Sequence, residues 1–362
     1  MGVPVGRPCF IFRLNEYNLM LRFILRRLIQ AIPLLFLISL ILFLILNSVG
    51  DPLSTMGGRQ RVSSSDRDRL TRQLGLDQPV LNQYLFWLIG NDWLLLDTDG
   101  DGVGDRYGTR LGVLRGDLGN SFTERRPASA VIADRFAPTL LLMGTSYILT
   151  LVLALGIGVY SALRPYTLTD NTITALSFIL YSMPIFWIAL SLLWIFAVTF
   201  KQAGLPYLPT VGMYEPGQPV TFVEVARHMV LPVLSLSLIS IAGYSRYVRS
   251  AMLEVVNADY IRTAYAKGLS GRRVLYRHAL RNAALPLVTL IGLDIPFLFG
   301  GAVVTERIFA WPGMGQLFVN ALDRADYPVL MGLLMLIAVL VVVFQLLTDI
   351  VYAFIDPRIR LS

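Results

Sequence analysis

The chain has 362 residues, of which 55% are hydrophobic and only 15% charged, and its mean hydropathy is +0.61. Repeated apolar runs of about 20 residues, each long enough to cross a bilayer, exclude an ordinary soluble globule and make this an all-α membrane protein. The formal charge of +7 sits on basic residues beside those runs, so it reads as membrane topology rather than nucleic-acid binding.

In chain order, residues 1–19 carry Pro4, Arg7, Pro8 and Cys9 with no clear pattern and read as a disordered extension. Residues 20–49 form a cytoplasmic lead and the first span, Leu28 to Val49. Arg22, Arg26 and Arg27 precede that span and place the N-terminus in the cytoplasm. The run exceeds a signal-peptide core and no small-x-small site follows it, so it reads as an anchor. Residues 50–138 form a long extracytoplasmic loop, whose arginines do not oppose that placement because long loops translocate largely regardless of charge. The transmembrane core, 139–362, then holds spans at 139–163, 173–200, 229–247, 285–304 and 329–352. The expected fold is therefore six transmembrane helices, N-in and C-in, with a cytoplasmic loop at 248–284. Between Arg246 and Asn282 there are eight Arg/Lys against Glu254 and Asp259, the strongest positive-inside signal in the chain. Gly156 and Gly158 lie inside an apolar helix and read as a packing site, not a nucleotide fingerprint.

That cytoplasmic loop is a basic island with helix punctuation. Asn257 can cap a first short helix, Lys267 and Gly268 suit its end, and Ser270 can cap a second helix reaching Asn282. On the second helix Arg273, Arg277 and Arg281 recur at i, i+4 as a basic stripe, with Val274, Leu275 and Ala279 as an apolar flank. Periodicity alone allows either an interfacial helix pair touching anionic headgroups or a docking surface.

The wording from Tyr260 to Leu269 and from Arg277 to Asn282 resembles the EAA loop of ABC-importer permeases, specifically the dipeptide/oligopeptide, binding-protein-dependent subgroup. Arg22 to Pro33 and Asn47 to Pro52 resemble the opening of such permeases, with family-like text beginning at Met20, so a start at Met20 fits. Leu74 to Pro79 with Gln83 and Tyr84, Gly116 to Gly119, Thr305 to Gly315 and Asp326 to Pro328 resemble the same subgroup. Arg262 departs from the family's usual Glu and Arg281 from its Pro. The resemblance implies that Tyr260, Arg262, Thr263, Ala264, Lys267, Gly268, Leu269, Arg273 and Arg277 couple the chain to an ATPase. It also implies a second homologous permease, two ATPase subunits carrying ATP and Mg, an extracytoplasmic peptide-binding protein and a place in the inner or plasma membrane. The cargo could be dipeptide, oligopeptide, nickel or glutathione. Of the outer connection from Thr305 to Gly315, residues alone suggest only a turn with an interfacial Trp311.

No enzyme is expected. The only lysines, Lys201 and Lys267, sit in no phosphate-binding loop, and His228 and His278 lack metal-ligand spacing. Asp294 falls midway along the fifth span, near Pro296 and Gly300. A carboxylate there must face a wet path, a subunit interface or a polar partner. It also supports the alternative of a stand-alone secondary solute or ion carrier using Asp294. In the outer loop, an apparent insertion, 97–105, places Asp97, Asp99, Asp101, Val103 and Asp105 at positions 1, 3, 5, 7 and 9 of an EF-hand-like calcium loop, with Gly102 at position 6. Gly108 stands where the bidentate Glu belongs, so a weak calcium site and a solvated acidic turn both fit.

Overall fold

The computed structural model describes residues 9–49, 71–72, 75–97, 103–217 and 219–355. Two long helices form its spine. α3 (Ala128–Leu163) and α6 (Phe222–Val256) have 36 and 35 residues, so each is about 50 Å long at 1.5 Å per residue, well beyond about 30 Å of hydrocarbon. They pack together more extensively than any other pair of described elements. Gly158 permits this, since a Cβ there would lie 2.6 Å from Val248 Cβ and 2.7 Å from the Ser245 carbonyl oxygen. The expected packing site is thus Gly158 alone, because a Cβ on Gly156 would meet nothing within 4 Å. Ser237 Oγ adds a cross-helix hydrogen bond to the Ser146 carbonyl at 3.0 Å.

Around the spine, α1 (Cys9–Val49) packs on α11 (Tyr327–Ile355). α1 begins at Cys9, inside the stretch that the sequence reads as an extension. No Pro or Gly interrupts the chain from Cys9 to Ile32, so the helix continues back from its spanning part. The short helix α2 (Val80–Ile89) leans on α1, where Ser39 Oγ and the Tyr84 hydroxyl are 2.8 Å apart.

The expected third crossing is split at Pro184. α4 (Leu168–Ser182) stops before it and α5 (Ile185–Leu193) starts after it, because a residue preceding proline is driven extended, here Met183 at φ −82 and ψ 135. α5 continues through a π turn, Trp194–Thr199, into Phe200–Gln202. The expected fifth crossing is split as well. α8 (Leu280–Asp294) gives way to a 3-10 turn, Ile295–Gly300, with proline in its first turn, and Gly301 at φ +77 reverses the chain. Among the described residues, five helical stretches are long and apolar enough to cross a membrane: Ile24–Ser48, Ala128–Leu163, Ile185–Gln202, Phe222–Val256 and Tyr327–Ile350.

Two cores mark the two ends of α3. At its start, Ala128, Val131 and Ile132 pack with Tyr84, Trp87, Met314 and Leu330. At its finish, Ala162 packs with Val248, Met252, Ile261 and Val274. Large apolar side chains such as Ile148, Val152, Phe178 and Trp187 remain exposed on the outside of the bundle, as expected of helices that face hydrocarbon rather than water.

Candidate functional site

At the Leu163 end, the basic island folds as helix, glycine turn, helix. Asn257 closes α6 rather than opening the next helix, its Nδ2 donating to the Leu253 carbonyl at 2.8 Å. α7 (Asp259–Ala266) follows directly, with Ala258 at its N-cap. Lys267 ends α7 and Gly268 takes φ +77. The Gly268 amide then donates to the Tyr265 carbonyl at 2.9 Å and the Leu269 amide to the Ala264 carbonyl at 3.3 Å. This is a Schellman closure, completed by Leu269 packing into the core that holds Ala264. Ser270 occupies the next N-cap without a side-chain bond. The second helix runs on from Gly271 through a π turn, Val274–Ala279, into α8, and so ends at Asp294 rather than Asn282.

The π turn decides the face presented. Residues five apart align across its i→i+5 bonds, so Val274 and Ala279 are both buried while Arg273, Arg277 and Arg281 are exposed. On α7, Ile261 and Ala264 point into the core and Tyr260, Arg262, Thr263, Tyr265 and Lys267 point out. Arg262 has only a loose surface ion pair, 3.8 Å to Asp259. The result is an exposed, arginine-rich surface with Tyr260, Tyr265 and Tyr276 among the cations. Its chemistry suits recognition of carboxylates and flat apolar surfaces, not bond making.

A buried ion pair ties α4 to α6 near the same end of the bundle. Asp170 at the start of α4 is 1% exposed, and Arg249 of α6 grips it with a fork: Nε to Oδ1 at 2.7 Å and Nη2 to Oδ2 at 2.7 Å. Tyr166 adds a backbone donor at 2.9 Å. Asp170 lies in the loop before the third expected span, and the Arg249 hydrogen bonds hold its carboxyl below the usual carboxylate range. Sequence reading missed this pair, since only an Asp in a short inner loop and an Arg beyond a span hinted at it.

Deeper in the bundle, Asp294 ends α8 and is half-buried. The Tyr244 hydroxyl donates to it, and Tyr244 is in turn 3.0 Å from the Tyr147 hydroxyl. The chain Tyr147, Tyr244, Asp294 links α3, α6 and α8, and gives the carboxylate a polar partner within the bundle. Pro296 lies in the following 3-10 turn, and a Cβ on Gly300 would meet nothing within 4 Å.

At the Ala128 end, the segment Thr305 to Gly315 is no interfacial turn. Trp311 is fully buried and its Nε1 donates to the Pro138 carbonyl at 2.9 Å, which corrects its expected place at the membrane surface. Glu306 of α9 (Val303–Ile308) is fully buried too. Its carboxylate accepts from the amides of Ala302 at 3.2 Å and Gln316 at 2.8 Å and from Thr139 Oγ1 at 3.3 Å. Burial pushes its pKa up despite those donors. Gly313 is required here, because a Cβ would fall 2.4 Å from Glu306 Cδ. Beyond α10 (Met314–Asp323), Asp326 is likewise buried and accepts from Ser121 Oγ and from the amides of Phe122 and Thr123 at 3.1 Å. Gly119 sits against Pro328, so the sequence motifs Gly116 to Gly119 and Asp326 to Pro328 meet in space.

Of the acidic insertion, Asp99 and Asp101 lie outside the described residues. Its flanks pair as an antiparallel hairpin, β1 (Leu95–Leu96) with β2 (Arg106–Tyr107), and the Asp105 amide donates to the Leu96 carbonyl at 3.0 Å. Asp97 directly follows β1 and Val103 precedes β2, and Gly108 is pressed against Asn91.

Residues 154–361 match the family described as binding-protein-dependent transport system inner membrane component, and residues 20–143 match its N-terminal companion. The chain is 41% identical to the oligopeptide transport system permease protein AppB of Bacillus subtilis, over 94% of this chain and 100% of that one. It is 37% identical to the dipeptide transport system permease protein DppB of Escherichia coli, over 94% and 99%. To the glutathione transport system permease protein GsiC of Salmonella paratyphi A it is 36% identical, again over 94% and 99%. Taken with the bundle of membrane-length helices, these matches show that the chain is a multi-pass membrane protein belonging to the family of binding-protein-dependent transport system inner membrane components.

Proposed function

We propose that this chain is one permease subunit of an ATP-driven importer of peptides, forming half of the translocation path. The relatives' names supply the cargo class: two are permeases for oligopeptide and dipeptide and one for glutathione, itself a peptide. In this reading the Leu163 end is cytoplasmic, the Ala128 end extracytoplasmic, and the split segments at Pro184 and Asp294 complete six crossings with both termini inside. A second homologous permease supplies the other half of the path, two ATPases bind and hydrolyse ATP with Mg, and an extracytoplasmic binding protein delivers the peptide.

The observation that carries this reading is the Schellman-closed turn at Gly268. It fixes an exposed cationic surface onto the core shared by α3, α6 and α8. A push on α7 is then transmitted to the helices that hold Tyr147, Tyr244 and Asp294, and those helices need only make different contacts in two states. The chain itself performs no bond chemistry. In the test, Cys9 is replaced by Ser and a cysteine is placed at Thr263. It should cross-link to a co-purified ATPase, and it should be labelled only from the cytoplasmic side. Purification free of any ATPase, with transport driven by an ion gradient and lost in Asp294→Asn, would favour the stand-alone carrier.

A further inference from the structure

A cleft of about 90 Å³ opens at the Ala128 end of the bundle, between the last turns of α1, α2, the segment after β2 and the start of α11. One water needs about 10–15 Å³ on this scale, so the cleft has room for several waters or for one small organic ion. Phe43, Phe86 and Met331 supply apolar walls. Its polar groups are unequally provided for. Asp117 has both carboxylate oxygens engaged, accepting from the Leu111 amide at 2.9 Å and the Gly119 amide at 2.8 Å. Gln83 spends its Nε2 on the carbonyls of Leu76 and Gln78, at 3.1 and 2.8 Å.

The donors that line the cleft are different. Asn47 Nδ2 and Trp87 Nε1 are buried and have no hydrogen-bond partner among the described residues. Trp87 as a whole is 8% exposed. Arg110 lines the same cleft, half-buried, and its guanidinium has no hydrogen-bond partner among the described residues either. Its backbone, by contrast, is clamped. The Arg110 amide donates to Asn91 Oδ1 and its carbonyl accepts from the Asn91 amide, both at 3.0 Å. Gly112 is packed so closely that a Cβ would lie 2.3 Å from the Gly90 nitrogen. Burial lowers the Arg110 pKa, with Asp117 acting against it, but a guanidinium remains charged in a protein.

Buried donors are costly to leave unmade, and native structures satisfy nearly all of them. Water could serve, but water also donates, whereas a set of donors that includes a cation favours a group that only accepts. An ionised carboxylate is such a group and fits a guanidinium bidentately. We propose that this cleft binds a small carboxylate, with the Arg110 guanidinium, Trp87 Nε1 and Asn47 Nδ2 as its donors. The ligand is either a free carboxylate or the C-terminus of a peptide. The inference does not rest on the transport reading.

In the test, the purified full chain in nanodiscs is titrated with sodium acetate, glycylglycine and glycylglycinamide against sodium chloride at equal ionic strength. Thermal unfolding and tryptophan fluorescence are followed. A saturable rise in unfolding temperature with acetate or glycylglycine, absent with chloride and with glycylglycinamide, is expected. Acetate binding assigns the site to free carboxylates, and glycylglycine binding without acetate binding assigns it to peptide termini. Arg110→Gln should weaken binding at least about tenfold, and Trp87→Phe, which keeps the ring but not the N–H, about threefold. If Arg110→Gln does not fold, Trp87→Phe decides alone. Absence of a saturable response, equal binding of glycylglycinamide, or Trp87→Phe binding as tightly as the parent would overturn the site.

Discussion

Two sets of charged residues at opposite ends of the α3–α6 spine are held in opposite ways. At the Ala128 end, Glu306 and Asp326 are buried and surrounded by backbone amides. At the Leu163 end, Arg262, Lys267, Arg273 and Arg277 are exposed with little holding them. Both stretches resemble the wording of the same permease subgroup, yet the physics differs. A buried, fully bonded carboxylate fixes a loop, and replacing it disturbs the chain's own fold. An exposed guanidinium with a loose partner contributes little to stability, so its effect should be felt by whatever docks there.

The largest expected effect would break that comparison at its rigid end. Trp311→Ala removes a fully buried indole and its bond to Pro138, which should cost about 3–5 kcal/mol. Thermal unfolding of the purified chain should drop well below that of the parent. Tyr260→Ala, at an exposed position, should leave unfolding within about 0.5 kcal/mol and act only on ATPase stimulation by substrate. If the two variants unfolded alike, the division of the molecule into clamp and docking surface would be wrong.

The next effect in size separates the two kinds of buried carboxylate. Asp170→Asn breaks a forked, largely buried ion pair and should cost about 3 kcal/mol, the lower end of the usual range because Arg249 is partly exposed. The folded pKa of Asp170 lies below its unfolded value, so its contribution is present at neutral pH. It is lost as pH falls from about 4 toward the lower folded value. Glu306 has the opposite sign. Its folded pKa is raised, so stability should fall as pH rises from about 4.3 through the folded pKa, and the cost is fully present above it. Stability curves of Asp170→Asn and Glu306→Gln against pH should differ from the parent in opposite directions. Parallel curves would refute the assignment.

These predictions also show what sequence could and could not give. The Gly268 turn was legible because its signals are local: Lys267, Gly268 and Ser270 are adjacent, and positive φ at a helix end selects glycine. Asp170 and Arg249 stand 79 residues apart, and no local pattern announces their meeting. Aromatic rings prefer an interface, so local sequence reads Trp311 as interfacial, but its depth is set by α3 and α6 packing over it. The breaks at Pro184 and after Asp294 were written in the prolines, yet an apolar run long enough to cross hides a break. Glu306 was readable only in hindsight, as a lone carboxylate among glycines that its side chain forbids to be anything larger.

A smaller effect sharpens the comparison at its flexible end. Gly268→Val places a β-branched residue at φ +77, a strain of about 1–2 kcal/mol. No atom lies within 4 Å of the Cβ it would add, so the strain is in the backbone and the bundle should still form. The Schellman closure would open and α7 would change its angle on the core. Substrate-stimulated ATPase activity of the assembled transporter should fall strongly while membrane insertion persists. Parental stimulation in Gly268→Val would remove α7 as the coupling element.

The smallest expected effect lies in the acidic hairpin. Asp97, Asp99, Asp101 and Asp105 keep the spacing of a calcium loop, and strands β1 and β2 bring the two ends of that loop together. Position 12 is Gly108, and a Cβ there would fall 2.3 Å from Asn91 Oδ1, so the twelfth ligand cannot be supplied at that position without moving Asn91. A site lacking it should bind calcium only weakly, with a Kd of about 0.1–1 mM. With a Kd of about 1 mM, 10 mM calcium would stabilise the folded chain by about 1.4 kcal/mol. The purified chain should therefore show a small, saturable rise in unfolding temperature with calcium that magnesium does not reproduce. Asp99→Asn with Asp101→Asn should abolish it. A response identical in that double variant, or none at millimolar calcium, would leave the hairpin as a solvated acidic turn.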